Sequence, residues 1–425
     1  MRIIFAQDPP DLYGASRSLL RLTSRLVKEG HQVLVVVPQD GPLCSLLMES
    51  SIQVEICPRL TSITRRRCRG PRGLLTLLWS FLRSIPEFWR LVSRFHPDII
   101  HTNNSLILTP GVVAKLRRIP HLWHVREIFA DFPRLWSWYQ RYLCFVADRL
   151  VCVSGAVASQ FTCSAAKRKV QVLHNGFPAV EFSDVSSEHG KEFRQRHGLD
   201  GNLLIGSISR IKLGRKGQDV LLRAAAVLKP RFPDVRFVLV GGVFPGNEAH
   251  LEQLQRLSQE LDLSDRVICT GDIHDVKAAY AALDISVQAS VMPEAFSGVV
   301  IESMAMGIPI VATSCGGTTE QIEDGVTGFL VQPGDAQQMA SALERLLSDP
   351  GLRLRLASRA RKAFLERFEF ESFYRNLRAI QCSVTDTRSI PAAQTAFTRN
   401  VLEELPLSPD SLASANKKHS VGFPH

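Results

Sequence analysis

No stretch of about twenty uncharged apolar residues occurs in the 425-residue chain, so no membrane-spanning helix is expected. The opening MRIIFAQDPP is too short an apolar run for a secretory signal. Nine cysteines show neither a C-x-x-C pair nor regular spacing, and Cys152, Cys269 and Cys315 sit among apolar or small residues. This argues against a zinc site or disulfide framework and for buried thiols in a reducing compartment. The fingerprint G-x-G-x-x-G, the phosphate loop G-x-x-x-x-G-K-[ST] and the metal motif H-E-x-x-H are all missing. Acids are also short: 41 Asp and Glu stand against 51 Lys and Arg, a net charge of +10.

What is present is a twice-repeated alternation of short apolar strands and helices. Arg2 to Ala6 reads as a strand, Ala15 to Lys28 as a helix with leucines at helical spacing, and Gln32 to Val37 as a second strand. Asp98 to His101, His121 to Arg126, Leu150 to Val153 and Val170 to Leu173 continue the pattern. It restarts with Leu203 to Ser207 and the helix Gln218 to Leu228, then adds strands at Phe237 to Val240, Val267 to Cys269 and Ile285 to Gln288. Such alternation builds parallel, doubly wound sheets. The expected fold is α/β, with domains at 1–177 and 199–363, a polar crossing at 178–198, a late helix at 364–382 and a structureless tail at 383–425. Two such domains leave a cleft where their strand ends open, and ligands of open sheets bind there.

The densest chemistry lies in Met292 to Thr313, MPEAFSGVVIESMAMGIPIVAT. Gly298 to Met306 has the length and apolar content of a helix, Gly307 stops it, and Ile308 opens a buried strand. Ser297 at the N-cap makes the amides of Gly298, Val299 and Val300 a positive helix end where an anion can sit. Glu294 stands just before that end, and Glu302 leans back toward it from within the helix. Carboxylates for sugar hydroxyls beside amides for phosphate suit a nucleotide-sugar. The residues alone leave open that Ser297 caps an ordinary helix and both glutamates face solvent.

Three further groups carry a functional and a plain reading side by side. In SISRIKLGRKG, Arg210 and Lys216 either grip phosphate oxygens from a strand-end loop or belong to a solvated basic loop. Gly14, in QDPPDLYGAS, either admits a ligand to the backbone or merely opens a helix. His101 and His124 either meet phosphate or sugar at strand ends or are hydrogen-bonded structural histidines; no spacing supports a metal.

Arg59 to Arg94 contains nine arginines and the single acid Glu87. Trp79, Phe81, Phe88 and Trp89 interleave with them up to Phe95, and Trp136, Trp138, Tyr139 and Tyr142 follow. Arg59–Phe95 therefore suits an anionic membrane surface, unless the arginines form a solvated loop and the aromatics pack inside. Nucleic acid competes for a basic surface, but no nucleic-acid module accompanies this one.

The block PEAFSGVVIESMAMGIPIVAT has an E-x7-E spacing at Glu294 and Glu302 and is followed by Gly316-Gly317, Glu320 and DGVTGFLV. It resembles the retaining glycosyltransferases of family 4, whose architecture is GT-B. Arg210 with Lys216, the Gly14 loop, HNG at 174–176 and Gly271 match in order. The resemblance implies two Rossmann-like domains facing a central cleft, with a C-terminal helix crossing back to the first. It implies that Arg210 and Lys216 hold a donor diphosphate and that Ser297 to Val300 offer amides to phosphate. Glu294 would contact sugar hydroxyls, Glu302 the ribose, Gly14 the donor phosphate or acceptor, and His124 the reacting sugar, through its side chain or its backbone carbonyl. It further implies retention of anomeric configuration, no metal, no cofactor beyond the nucleotide-sugar substrate, and a glycan or lipid-linked acceptor. The expected location is cytoplasmic or peripheral on the inner membrane face. The opening departs from the family pattern, with PPDLY before Gly14 where two adjacent glycines are usual. The alternative expectation is a non-catalytic nucleotide-sugar-binding or scaffold protein of the same fold.

Overall fold

Two parallel sheets organise the computed structural model, which describes residues 1–63, 70–129, 133–243, 246–273 and 276–389. The first holds β1 (Arg2–Ala6), β2 (Gln32–Val37), β3 (Gln53–Ile56), β4 (Ile99–Thr102), β5 (His121–Val125), β6 (Arg149–Cys152) and β7 (Val170–Val172). Their order is β3-β2-β1-β4-β5-β6-β7, with Ile3 in register with Val33 on one side and Ile99 on the other. The second holds β8 (Leu203–Ile208), β9 (Val235–Val240), β10 (Val267–Gly271), β11 (Ile285–Gln288), β12 (Ile310–Thr313) and β13 (Phe329–Val331), ordered β10-β9-β8-β11-β12-β13. Parallel strands covered on both faces need unbroken apolar runs, which VLVVV in β2 and FVLV in β9 supply. Strand order reverses between β1 and β4 and again between β8 and β11, so each sheet opens a crevice at its C-terminal edge.

Most expected elements form within a residue or two of their predicted ends. The short edge strands β3 and β13 were not expected, because QVEI and FLV are too brief to show a period of two. The crossing at 178–198 is more ordered than its polarity suggests. It holds a turn of 3-10 helix (Ala179–Phe182) and a helix (Ser187–Arg196) closed by a reciprocal Ser186–His189 cap. Phe193 from that helix enters the core of the second sheet beside Leu204, Val238 and Tyr280.

The late helix also differs from expectation, since two helices, Pro350–Arg367 and Phe370–Ser389, replace one. At the break the Phe177 amide donates to the Phe368 carbonyl (2.9 Å), and the Phe370 amide donates to the Phe177 carbonyl (3.2 Å). Pairing with Phe177 takes the backbone groups that a continuous helix would use. Before the break, Phe364 and Phe368 pack with Val300 and Ile301; after it, Phe370, Phe373, Tyr374 and Leu377 join Ile3 and Phe5 in the first core. The last helix thus crosses back to the first domain. It includes the opening residues of the expected tail, and the rest of 383–425 lies outside the described residues, as does 64–69.

Gly176 sits where the two crossing segments touch. A Cβ there would lie 2.5 Å from that of Phe373 and 2.8 Å from the Cα of Phe370. Gly176→Ala is therefore expected to lower stability by about 1–3 kcal/mol through overpacking. A urea midpoint equal to that of the unaltered protein would show that the segments do not meet.

Candidate functional site

Both strands at the second sheet's crevice end in loops that carry charge. After β8 the chain runs through Arg210 to Lys216, and after β11 through Ser290 to Ser297. The two loops are knitted together. The Val291 amide donates to the Arg215 carbonyl across them (2.9 Å), and within the first loop the Gln218 side chain donates to Ser209 Oγ (3.0 Å) and the Arg210 carbonyl (2.9 Å). Gly217 has φ +69°, and a Cβ there would meet the Ala289 carbonyl at 1.9 Å. Only glycine fits a left-handed position pressed so closely on backbone.

This frame brings Lys216 to Glu294. Lys216 Nζ donates to Glu294 Oε1 at 2.6 Å, and Ser290 Oγ donates to the same oxygen at 2.8 Å. Burial pushes the Glu294 carboxyl up, but Lys216 and Ser290 outweigh it and hold the group below its ordinary range. Glu294 is also pinned by its backbone, whose carbonyl accepts from the Gly317 amide (2.8 Å).

The helix Gly298–Met306 begins where expected, though its cap differs. Ser297 occupies the N-cap, but its hydroxyl makes no capping bond; instead Gln321 clamps the Ser297 backbone, accepting from its amide (3.1 Å) and donating to its carbonyl (2.9 Å). The amides of Gly298, Val299 and Val300 therefore have no side-chain cap, and they form the positive end of this helix. A Cβ on Gly298 would meet only the far edge of Phe177 at 3.9 Å, so space in front of it is open. One turn on, Glu302 accepts from the Tyr280 hydroxyl at 2.7 Å. Burial raises the Glu302 carboxyl, and the Tyr280 bond with the charges of Arg21 and Arg17 only partly offsets it.

The first domain supplies the opposing wall. Tyr13 occupies the N-cap position of the helix Gly14–Lys28, and its ring centroid lies 3.5 Å from the Arg210 guanidinium carbon, which joins the strand-end loops of β1 and β8. A Cβ on Gly14 would meet nothing within 4 Å, leaving its backbone approachable. On the same helix Arg21 makes a two-pronged contact with Glu181 (2.7 and 2.6 Å). Farther along, Glu320 of the second domain accepts from the amides of Gly155 (2.7 Å) and Ala156 (2.8 Å) and from His174 Nε2 (3.0 Å).

Arg210, Lys216, Glu294, Ser297 to Val300, Glu302 and Gly14 thus gather about the facing crevices. His124 does not. It is 0% exposed within β5, its ring stacked on His101 (5.6 Å between centroids) and 6.4 Å from Phe373 of the crossing helix. Burial, then Arg126 and His101, hold it uncharged, well below its ordinary range. Its side chain is a core group, which leaves the backbone carbonyl as the part of His124 that could meet the reacting sugar. The physical reason is alternation: His121 and Trp123 face one side of β5, His124 the other, and that side is covered by the crossing helix.

Two residues overlooked in the sequence complete the site. Arg126, just past β5, donates to the Asn103 carbonyl (3.0 Å), Asn175 Oδ1 (2.7 Å) and Ser18 Oγ (3.2 Å), tying three strand ends to the first helix. Burial lowers it to about 10 despite Glu127. A charged residue directly after a buried strand was the available signal. Tyr13 was visible only as a departure from two adjacent glycines, and its partner only in three dimensions. Among the described residues no group of three or more His, Cys, Asp or Glu side chains could hold a metal ion.

Comparison with known proteins places the chain in a family. Residues 13–179 match the model described as Glycosyltransferase Family 4, and residues 190–363 the model described as Glycosyl transferases group 1. A D-inositol 3-phosphate glycosyltransferase of Acidothermus cellulolyticus is 31% identical over 372 residues, covering 84% of this chain and 78% of that protein. A GDP-mannose-dependent alpha-(1-6)-phosphatidylinositol monomannoside mannosyltransferase of Mycolicibacterium smegmatis is 34% identical over 165 residues; there the match covers 37% of this chain and 42% of the relative. The solved structure of Anabaena HepE in complex with UDP and glucose matches at TM-score 0.77 and 26% identity, covering 90% of this chain and 100% of that one. With both halves matched, and a relative above 30% identity aligned over most of its length, the chain belongs to the family 4 glycosyltransferases.

Proposed function

We propose that the protein transfers a sugar from a nucleoside-diphosphate-sugar to a glycan or lipid-linked acceptor, with retention of anomeric configuration and without a metal ion. The observation that carries this is the Lys216–Glu294 contact at 2.6 Å, set beside an uncapped helix end and across from the Tyr13–Arg210 stack. Cleaving a sugar–phosphate bond leaves an oxocarbenium-like carbon and a diphosphate with added negative charge. Arg210, Lys216 and the amides of Gly298 to Val300 are fixed in advance to stabilise that charge where it develops. They supply what a divalent cation would otherwise contribute.

Glu294, held ionised by Lys216, accepts from donor sugar hydroxyls, and Glu302 does the same for the ribose. Attack by the acceptor hydroxyl on the face the phosphate leaves, with that phosphate taking the proton, preserves configuration. Closing the two domains excludes water and protects the donor from hydrolysis. The described cysteines are all free thiols, which supports a reducing, cytoplasmic setting.

Lys216→Ala is expected to lower kcat/KM about 10²–10³-fold with a nucleotide-sugar panel. Without Lys216, burial dominates at Glu294 and its pKa rises, so the acid limb of the pH–rate profile moves to higher pH; an unmoved limb would break the proposed coupling. Tyr13→Ala should raise the donor KM about threefold to tenfold, a cation–π loss, while Tyr13→Phe stays near the unaltered value. Proton NMR of the first product formed should show the donor's anomer, at a rate unchanged by EDTA. An inverted product, or abolition by EDTA that magnesium restores, would refute the corresponding part.

A further inference from the structure

We propose that three adjacent helices of the first domain, Gly70–Phe95, Thr109–Arg117 and Pro133–Val146, form a surface that docks the protein flat onto an anionic phospholipid bilayer. This goes beyond the transfer reaction and stands on different residues. The helix Gly70–Phe95 is docked mainly by its later half, where Ser84, Phe88, Leu91 and Val92 are buried, the last three in one core with Ile4, Leu34 and Ile100; in its earlier half Leu77 packs against the core of Trp123 and Leu143. Its earlier half turns Leu74, Leu75, Leu78, Trp79 and Leu82 to solvent, between 47% and 66% exposed. At about 100° per residue these five fall in one arc of roughly 140°. Arg72, Arg83 and Arg90, all exposed, lie within about 40° of its edge.

The neighbouring helices extend the same character. Leu116 is 62% exposed, Phe145 67% and Trp138 74%. Each exposed aromatic ring carries a cation: Arg83 over Trp79 (3.6 Å), Arg141 over Trp138 (5.5 Å) and Lys115 over Phe145 (5.3 Å). The three helices contain eight basic residues and one acid, Glu87. Four more arginines, Arg65, Arg66, Arg67 and Arg69, immediately precede them in the sequence.

A bilayer of net negative charge answers both halves of this pattern. Leucines and rings enter the boundary between headgroups and acyl chains, while guanidinium groups beside them meet phosphate. A second copy of the chain is disfavoured, because a two-fold contact would press one strongly basic surface onto its like. Nucleic acid would use the arginines and leave the leucines wet. Among the described residues no helix is long and apolar enough to cross a membrane, so the contact lies in the interface plane. Trp136 and Tyr139, aromatic in the same stretch, are buried at 7% and 5% and take no part.

The test is sedimentation of the full chain with vesicles of phosphatidylcholine alone or with about 30% phosphatidylglycerol. Binding to the anionic vesicles should exceed that to the neutral ones by about tenfold or more, and brominated acyl chains should quench tryptophan fluorescence. The triple variant Leu75→Glu, Leu78→Glu, Trp79→Glu should abolish binding and most quenching, and Arg72→Glu with Arg83→Glu should weaken binding on the order of tenfold. Both should keep the unaltered rate of donor hydrolysis. No pelleting with either vesicle, equal pelleting of the triple variant, or a dimer that this variant dissolves would overturn the proposal. Intact vesicle binding in a protein that turns over no nucleotide-sugar would count against the transferase reading alone.

Discussion

The proposed diphosphate site needs cations that are fixed in place yet not fully neutralised by their own surroundings, and Lys216 against Glu294 is the contact on which that proposal turns. The pair is partly buried, so each member needs the other: the lysine holds the carboxylate ionised, and the carboxylate fixes a flexible side chain. Ser290 adds a neutral donor to the same oxygen and leaves the balance of charge unchanged. Arg210 is positioned differently, by the face of Tyr13 from the other domain. The proposed site is therefore complete only when both domains contribute, although the cations and helix amides proposed for the phosphate belong to the second.

Much of this was legible in the chain because it depends on local rules. Gly298–Met306, Gln218–Leu228 and Ile285–Gln288 fall where capping residues, periodicity and apolar runs place them. The approach of Lys216 to Glu294 could be anticipated once both loops were assigned to neighbouring strand ends. What could not be anticipated is what a residue meets across the structure. The break at Phe368–Glu369 comes from pairing with Phe177, nearly two hundred positions away, while the local pattern favours an unbroken helix. His124 sits in a plausible strand end by sequence, but the face that alternation gives it is covered by the crossing helix.

The basic, aromatic stretch shows the same division in one helix. Phe88 is core and Trp79 is not, though both stand among arginines and leucines. A helical wheel separates them only when the inner face is known, and that face is set by β1, β2 and β4 beneath. Leu74, Leu75, Leu78, Trp79 and Leu82 are not surplus core; they lie on the early turns of the helix, ahead of those that pack on the sheet.

The Glu320 contacts have a mechanical corollary. One carboxylate of the second domain is shared among two first-domain amides and His174, whose ring also stacks on Phe296 at 5.2 Å. Stripping three donors from a partly buried acid at once is costly, so a swing of the two halves that preserves them must turn about that point. Displacement then grows with distance from this fulcrum, and the loops of Tyr13 and Arg210 would travel along an arc, separating like the blades of scissors.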